Sequence, residues 1–403
     1  MFPAALDRIS GMGDGSIQNM RVHLYGTQGS GSVFPSRAER LAFSRRREHA
    51  LLTRVFEEVA RRADGEGRLN CTVADLIGGP LNSRTITRFA ERFQAAEPRV
   101  YGGWTTCVRI ETADDYDLVF DCGSGFRNCA ADLQAKWADR PERHLYIFGS
   151  HSHLDHTEGF DQAAVCFDPR NFLHIHGNHQ FIRALDYNLG IFSRQVARTA
   201  QGVQTPIFFG IMPAKFEAFE IGSGSLEDQS PPLNALPLDA RKPIQLGATT
   251  IHAFEVFHPA PCLAYRVQHG GRVFVFCTDH ELRRGDPRHP DVQRSVEAEN
   301  RLIAHARGAD LMYRDGQFLR VEYDGLQGIG NSSAVSRVGW GHSCIEDVVE
   351  MARQNSVKHT LIGHHDPNRD WSERNWLDES MARRTQGENY RVELASAESV
   401  FDL

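Results

Sequence analysis

The sequence lacks long apolar runs and an apolar leader. No segment approaches the ~18 consecutive apolar residues that a membrane helix requires. Residues 1–20 contain neither the basic start nor the apolar stretch of a signal peptide. These absences predict a cytoplasmic protein that has no membrane partner.

Paired cysteine motifs are also missing. The eight cysteines lie in apolar contexts at positions 71, 107, 122, 129, 166, 262, 277 and 344, and no two form a CxxC pair. Disulfide frameworks and thiolate zinc clusters both depend on recurring cysteine spacing. We therefore predict that these cysteines are reduced core residues.

Positive charge is in deficit. The chain has 45 Lys and Arg residues against 52 Asp and Glu residues, which gives a formal net charge of -7. Such a balance offers no global attraction for nucleic acid, although a basic patch can exist locally on an acidic protein. The composition therefore favours a small-molecule substrate over RNA without excluding RNA.

What the chain does contain is typical of a globular α/β protein. Its 403 residues are 41% hydrophobic and 24% charged, which argues against disorder and fibrous repeats. The length allows two to three domains or one large α/β unit with insertions. Helical spacing of apolar residues over 37–63 and 72–93 interrupts a strand-rich chain. We therefore predict a helical insertion at 36–98, between a start at 1–35 and a remainder at 99–403.

Apolar runs that end at Gly or at polar clusters recur along the remainder, as expected for strands. They include TTCVRIET, DLVFDCGSG, HLYIFG, LHIHG and VKHTLIGHH, while CLAYRVQHGGRVFVFC has the character of a hairpin. Helices are predicted after LHIHG, near 292–307 and near 342–355. Residues 223–243, which contain four prolines, are predicted to form a surface loop.

The segment SHSHLDHTEG at 150–159 carries the strongest chemical signal, because it places three histidines and an aspartate directly after a strand. His151 and His153 can project together to bind one metal, while Asp155 and His156 reach a second site. Neutral imidazoles with a carboxylate suit Zn²⁺, and Mn or Fe are alternatives. A surface loop that is merely rich in histidine is the weaker interpretation.

One loop cannot complete two metal sites, so further ligands must lie at other strand ends. His258 follows IHAFEVF, Asp279 follows VFVFCT, and His364 follows HTLIG. Each of these residues alone is more typical of a capping or core polar residue, but their recurrence favours one binuclear site. His364 is preferred to the adjacent His365 because it directly follows the apolar strand.

These motifs resemble the metallo-β-lactamase superfamily, in particular its ribonuclease Z-like and cyclic or phosphonate-type phosphodiesterase branch. The similarity covers most of the chain, from HLYGTQGSG at 23–31 through SHSHLDH, FHPAPCLAYRV and GWGHS to GHHDP. YRVELASAESVFDL resembles the last strand of these proteins. The resemblance implies an αββα sandwich in the α/β class. It further implies the ligand set His151, His153 and His258 for one metal, Asp155, His156 and His364 for the other, and a bridging Asp279.

Two departures from the family bear on function. The helical insertion separates segments that are normally close in sequence, and it could cap the active site, form a homodimer contact or decorate an edge. The lid and the contact remain equal alternatives. Residues 160–245 lack the long Lys- and Gly-rich arm that ribonuclease Z uses to hold tRNA, which weakens the tRNA interpretation.

The leading functional hypothesis is a binuclear metal-dependent phosphodiesterase. Two divalent metals can hold a bridging hydroxide and stabilise displacement at phosphorus, with Asp155 at the metals and His342 as a phosphate-binding or general-acid group. The substrate is predicted to be a small or cyclic nucleotide-type phosphodiester. The alternatives are a tRNA 3′-end endonuclease, a lactone, β-lactam or thioester hydrolase, and a non-catalytic metal-stabilised binding module.

Supporting roles are predicted for polar residues next to the ligands. Asp121 and Asp315 each end an apolar strand and are expected to orient metal-bound histidines, although an Asp in a turn is nearly as common there. His365 is placed beside the metal site in the same way. His174, His176 and His179 suggest another metal, but no partnered carboxylate is evident in the sequence, so we predict strand or turn roles for them.

Overall fold

The structure is a computed structural model that describes residues 19–93, 103–194, 207–222 and 233–403. Residues 34–93 form one compact unit, and the other described residues form a second. Among the residues described, no helix combines the length and the apolar character needed to cross a bilayer.

The smaller unit is helical, because its apolar residues recur at helical spacing and its helix starts are capped. It contains α1 (Arg37–Arg61), α2 (Val73–Ile77) and α3 (Ser83–Glu91). Ser36 and Glu39 form a capping box at the start of α1, which satisfies two backbone N–H groups that the helix leaves unpaired. Leu76, Ile77 and Phe89 form its small core.

The larger unit contains the described strands, which form two sheets. In chain order they are β1 (Met20–Gly26), β2 (Cys107–Thr112), β3 (Asp117–Phe120), β4 (Arg143–Phe148), β5 (Asn171–Gly177), β6 (Lys215–Ile221), β7 (Ala235–Leu238), β8 (Ile244–Leu246), β9 (Thr249–Val256), β10 (Cys262–His269), β11 (Arg272–Cys277), β12 (Leu311–Asp315), β13 (His359–Gly363), β14 (Arg391–Leu394) and β15 (Val400–Asp402). The first sheet has the order β15-β1-β2-β3-β4-β5-β6-β7, and the second has β14-β13-β12-β11-β10-β9-β8.

The described part of this unit also contains six α-helices. They are α4 (Phe126–Lys136), α5 (His179–Leu189), α6 (Pro290–Ala306), α7 (Arg320–Tyr323), α8 (Ile345–Gln354) and α9 (Trp371–Arg384). Helices α4 and α5 pack on the first sheet, while α6, α8 and α9 pack on the second. A third core lies between the two sheets. The predicted αββα sandwich is confirmed.

Consecutive residues of β3 illustrate why the central strands are apolar on both faces. Val119 packs in the core under α4 and α5, whereas Leu118 and Phe120 pack between the sheets. Strands β3 to β6 run parallel, and parallel strands covered on both faces read as continuous apolar runs. The continuous apolar runs in the sequence are therefore explained by the burial of these strands on both faces.

The structure confirms one of three predictions of local structure and contradicts the other two at least in part. The hairpin over 262–277 is confirmed, and Gly270 and Gly271 form its turn with φ of 55° and 77°. The predicted loop at 223–243 is wrong in part, because β7 pairs there with β6, and residues 223–232 lie outside the described residues. The predicted single last strand is also wrong, because β14 joins the second sheet and β15 the first.

The two segments that flank the smaller unit meet in the larger one. Val33 and Gly103 form an isolated antiparallel bridge, in which the N–H of Val33 donates to the carbonyl oxygen of Gly103 at 2.9 Å. The chain therefore leaves the larger unit and returns to it at one point, which we call the stem.

Candidate metal centre

The polar residues that follow the strands meet at one end of the two sheets. Asp121 follows β3, His151 follows β4, His258 follows β9, Asp279 follows β11 and His364 follows β13. Since these strands run in the same direction within their own sheet, their carboxyl ends lie at the same edge. Contacts between His151 and Asp279 show that the two edges face each other.

The first group, cluster 1, contains His151, His153, His258 and Asp279, each with one ligand atom within 4.8 Å of the others. Nε2 of His258 lies 3.3 Å from Nδ1 of His153. The Oδ2 atom of Asp279 lies 3.4 Å from Nε2 of His151 and 3.8 Å from Nε2 of His258. Three imidazole nitrogens thus converge on one carboxylate oxygen.

The second group, cluster 2, contains Asp155, His156 and His364 at the same spacing. The Oδ2 atom of Asp155 lies 3.1 Å from Nε2 of His364 and 3.4 Å from Nε2 of His156. These two imidazoles also face Oδ1 of Asp279, at 3.1 Å and 3.4 Å. Asp279 therefore presents one oxygen to each cluster.

The donor set fits divalent metal ions. The Nε2 atoms of His151 and His156 are buried and have no hydrogen-bond partner among the residues that the structure describes, which is costly unless another group satisfies them. Burial lowers the pKa of His151, so its imidazole is available as a neutral ligand. Burial opposes ionisation of Asp279, but the histidines around it hold its pKa well below the ordinary value. Imidazole nitrogens and carboxylate oxygens are zinc-type ligands.

Asp121 contacts His156 of cluster 2 directly and His151 of cluster 1 through Ser150. Its Oδ2 lies 2.7 Å from Nδ1 of His156 and accepts a hydrogen bond from the Ser150 hydroxyl at 2.7 Å, while its Oδ1 accepts from the Ser150 N–H. The Ser150 hydroxyl also lies 3.0 Å from Nδ1 of His151. Such contacts fix the tautomer and the ring orientation of ligand histidines, so that Nε2 faces the clusters.

His258 is positioned by a close backbone approach. Its Nδ1 donates to the carbonyl oxygen of Gly341 at 3.1 Å. A Cβ atom at Gly341 would lie 2.1 Å from that nitrogen, and its φ is +95°. Only glycine allows both the approach and this backbone conformation.

His364 is held in a similar way. Its φ is +56°, an uncommon conformation for a residue with a side chain, and a Cβ atom at Gly29 would lie 2.4 Å from its ring. Asp121 also has positive φ, at 60°. Backbone strain of this kind concentrates at functional sites.

His342 lies beside the clusters. One of its ring nitrogens lies within 4.8 Å of ligand atoms of Asp279 and His364, and its Nδ1 lies 3.2 Å from Oδ2 of Asp315. Burial lowers the pKa of His342, but the Asp315 carboxylate outweighs burial and raises the pKa to about 9. Asp315 therefore contacts His342 and favours its cationic form.

His365, the neighbour of His364, takes a different direction. Its Nε2 lies 2.7 Å from the carbonyl oxygen of Ala395, and burial lowers its pKa to about 3. Among the described residues it belongs to none of the groups with metal-ligand spacing. The structure thus brings His364, and not His365, into the clusters.

The histidines of β5 and α5 have carboxylate partners that the sequence did not reveal. Nδ1 of His174 lies 3.0 Å from Glu217, and Nδ1 of His179 lies 3.0 Å from Glu220. His176 instead stacks on Phe219 in the sheet. The prediction that His174 has no carboxylate partner is wrong, because Glu217 belongs to β6, which is distant in sequence and adjacent to β5.

Several residues that build the site were missed from the sequence. Ser150 precedes the histidine motif, and Glu281 follows Asp279 by two positions. Gly29 and Gly341 have no chemistry of their own. The tripeptide Gly339-Trp340-Gly341 was a usable signal, because two glycines close to a candidate histidine indicate a tightly fitted loop.

Comparisons with known proteins agree with this architecture. The beta-lactamase superfamily domain matches residues 116–365. No curated protein matches the chain. Similar solved structures include the metallo-beta-lactamase fold protein YhfI from Bacillus subtilis, which is 15% identical, with TM-score 0.45 and coverage of 95% of this chain and 99% of that chain.

Two further solved structures are similar over nearly their whole length. A diphosphatase from the PhnP family is 12% identical, with TM-score 0.47 and coverage of 95% of this chain and 98% of that chain. The human short-form tRNase Z is 15% identical, with TM-score 0.47 and coverage of 94% of this chain and 98% of that chain.

Proposed function

The chain belongs to the beta-lactamase superfamily, and from this premise we propose that it is a phosphodiesterase that uses two divalent metal ions, most simply Zn²⁺. The observation that carries the proposal is the position of Asp279, whose two carboxylate oxygens face cluster 1 and cluster 2 separately. A carboxylate placed in this way is suited to bridge two ions.

Seven residues would hold the ions. They are His151, His153 and His258 for one, Asp155, His156 and His364 for the other, and Asp279 between them. Bound divalent ions lower the pKa of water and stabilise negative charge on phosphoryl oxygens. The protein's contribution is to hold the ligand atoms in place through Asp121, Ser150 and Gly341.

His342 supplies the chemistry that distinguishes phosphate from carbonyl substrates. Its Nδ1 is engaged by Asp315, so the opposite ring nitrogen can carry a proton toward the clusters. In that position an imidazolium binds a phosphoryl oxygen and gives its proton to the leaving oxygen as the ester bond breaks. Asp315 keeps the ring oriented and stabilises its positive charge.

The substrate that fits these features is a small or cyclic nucleotide-type phosphodiester. The excess of acidic residues in the chain favours a small substrate over a long RNA, because RNA binding draws on many phosphate contacts. The two alternatives, a tRNA endonuclease and a lactone hydrolase, are distinguished from this proposal by the substrates in the following assay.

The test is a parallel assay of the metal-loaded protein on bis(p-nitrophenyl) phosphate, 2′,3′- and 3′,5′-cyclic nucleotides, a precursor tRNA and a lactone. We expect hydrolysis of the phosphodiesters and its loss in Asp155→Ala and His342→Gln. The Asp155→Ala variant should also bind less metal, whereas His342→Gln should retain its metal. Hydrolysis of the lactone alone, or cleavage of tRNA alone, would overturn the small-phosphodiester proposal.

A further inference from the structure

Trp340 is a large apolar residue that is exposed next to a buried centre. Half of its surface, 50%, is accessible, whereas Arg337 and His342 on either side are buried. Exposing an indole forgoes the stabilisation that its burial would give. An exposed indole at this position therefore calls for an explanation.

The backbone around Trp340 is held firmly. The carboxylate of Glu281, which is fully buried, accepts hydrogen bonds from the N–H groups of Gly339 and Gly341 at 2.8 Å and 3.2 Å. The Tyr323 hydroxyl donates to the same carboxylate at 2.5 Å. Hydrogen bonds thus hold the backbone at Gly339 and Gly341, the two residues next to Trp340.

One side of the indole is also fixed. The guanidinium of Arg337 lies 4.3 Å from the ring centroid, which is a cation–π contact. The same guanidinium lies 5.8 Å from the ring of Phe318, and Phe318 lies 5.8 Å from the His342 ring. Contacts thus continue from the indole to the imidazole.

This loop adjoins the metal centre. Gly341 carries the carbonyl oxygen that accepts from His258, and the next residue is His342, whose ring centroid lies 4.7 Å from that of His364. Gly339 lines a cavity of about 500 Å³ together with His258 and Phe257. Trp340 therefore lies between a residue at this cavity and a residue at the clusters.

From these contacts we propose that Trp340 is a stacking surface for a nucleobase or similar planar ring of the substrate, whose phosphate is held at the metal centre and His342. The inference rests on the proposed function only for the position of the phosphate. A fixed aromatic side chain with an accessible surface loses little conformational entropy on binding, and every nucleobase presents a π-face to it.

The test measures binding without turnover. Adenosine 5′-monophosphate and ribose 5-phosphate share a sugar and a phosphate and differ in the base, so their dissociation constants are measured on the zinc-loaded protein by calorimetry. We expect the nucleotide to bind about ten to a hundred times more tightly, as base–aromatic stacking provides. We expect Trp340→Ala to remove this preference without changing the affinity for ribose 5-phosphate, and Trp340→Phe to retain part of it.

Trp376 on α9 provides a matched control, because it is 57% exposed and lies outside the 339–342 loop. Trp376→Ala should leave the preference unchanged. Equal binding of the two ligands by the wild-type protein would overturn the inference, and so would an equal loss of both affinities in Trp340→Ala. A base preference that depends on Trp340, in a protein that hydrolyses no phosphodiester, would contradict the proposed function alone.

Discussion

At the scale of single residues, Asp121 shows how a group outside the ligand set controls it. One carboxylate serves His156 directly and His151 through Ser150. Loss of such a supporting carboxylate typically costs about 10–100-fold in metal affinity or activity. We expect Asp121→Asn to weaken metal binding by that factor in a chelator competition followed by elemental analysis.

Asparagine is a suitable replacement because it tolerates the positive φ of this position. Asp115→Asn is the matched control, since Asp115 also has positive φ, at 65°, and its side chain is exposed. Equal metal affinity in the two variants would show that Asp121 does not support the ligands.

His176 predicts a pH dependence of stability that is independent of the metal centre. Its ring is buried and stacks between Phe148 and Phe219, and burial lowers its pKa to about 4. In the unfolded chain the imidazole is protonated near the ordinary pKa of ~6.5. As the pH falls from this value toward the lower pKa of the folded state, the unfolded chain binds more protons, so unfolding is favoured. From pH 7 to pH 5 we expect a loss of about 2 kcal/mol in the free energy of unfolding.

The measurement is urea unfolding at both pH values for the wild type and for His176→Phe. The variant should lose less stability between pH 7 and pH 5, because phenylalanine takes up no proton. An unchanged difference between the two pH values would assign the acid sensitivity to other groups.

At the scale of elements, the segment that carries Gly341 sets the position of His258. Because a Cβ atom there would lie 2.1 Å from Nδ1 of His258, Gly341→Ala must displace the ring or the loop. A displacement of about 1 Å can cost on the order of a hundredfold in rate. We expect this loss in phosphodiester hydrolysis, together with weaker metal binding.

Gly308→Ala separates that contact from backbone strain. Gly308 also has positive φ, at 71°, but a Cβ atom there meets nothing within 4 Å. The Gly308→Ala substitution should lower thermal stability and leave the rate of phosphodiester hydrolysis per folded molecule unchanged. Comparable loss of activity in both variants would contradict the steric explanation.

The sequence was informative where an element has a strong local pattern. The parallel strands are apolar on both faces, and their ends are marked by His or Asp, so the residues that converge in the two clusters could be chosen from the strand ends. Short edge strands such as β7 and β15 carry too few residues for a pattern and depend on partners distant in sequence. The same limit applies to Glu217, which the fold alone brings to His174.

Residues whose roles depend on close packing between loops could not be predicted either, because the fold alone brings those loops together. The roles of Gly29 and Gly341 arise because a Cβ atom at either position would lie less than 3 Å from a histidine ring, and residue spacing does not encode such close approaches. Glu281 gave no signal beyond its charge, yet its carboxylate is fully buried and holds the 339–341 segment. The cluster residues and the supporting Asp121 could be predicted from the sequence, but Ser150, Glu281 and the two glycines could not.

At the scale of the whole molecule, the stem allows the smaller unit to be removed by protein engineering. Val33 and Gly103 are hydrogen-bonded neighbours, and the larger unit has its own cores around both sheets. We expect replacement of residues 34–102 by an Asn-Gly turn, which suits a tight antiparallel connection, to give a folded protein. Circular dichroism, thermal unfolding and metal content test this.

Retention of cooperative unfolding and of bound metal would show that the larger unit folds alone. Activity and mass of the shortened protein then distinguish the lid and the dimer contact, which are two of the three roles predicted for the insertion. A lid predicts a changed KM or kcat, whereas a dimer contact predicts an unchanged rate and a smaller mass in solution. Failure to fold would contradict the independence of the larger unit.

The candidate metal centre has a mechanical consequence, because the residues that would hold an ion come from both sheets. His364 follows a strand of the second sheet, while Asp155 follows a strand of the first, and the two residues are 209 positions apart in the chain. An ion held by both residues would act as a reversible cross-link across the sandwich, and cross-links over long loops restrict the unfolded chain most in the chain-entropy model. Metal supply would then set how long the protein survives proteolysis.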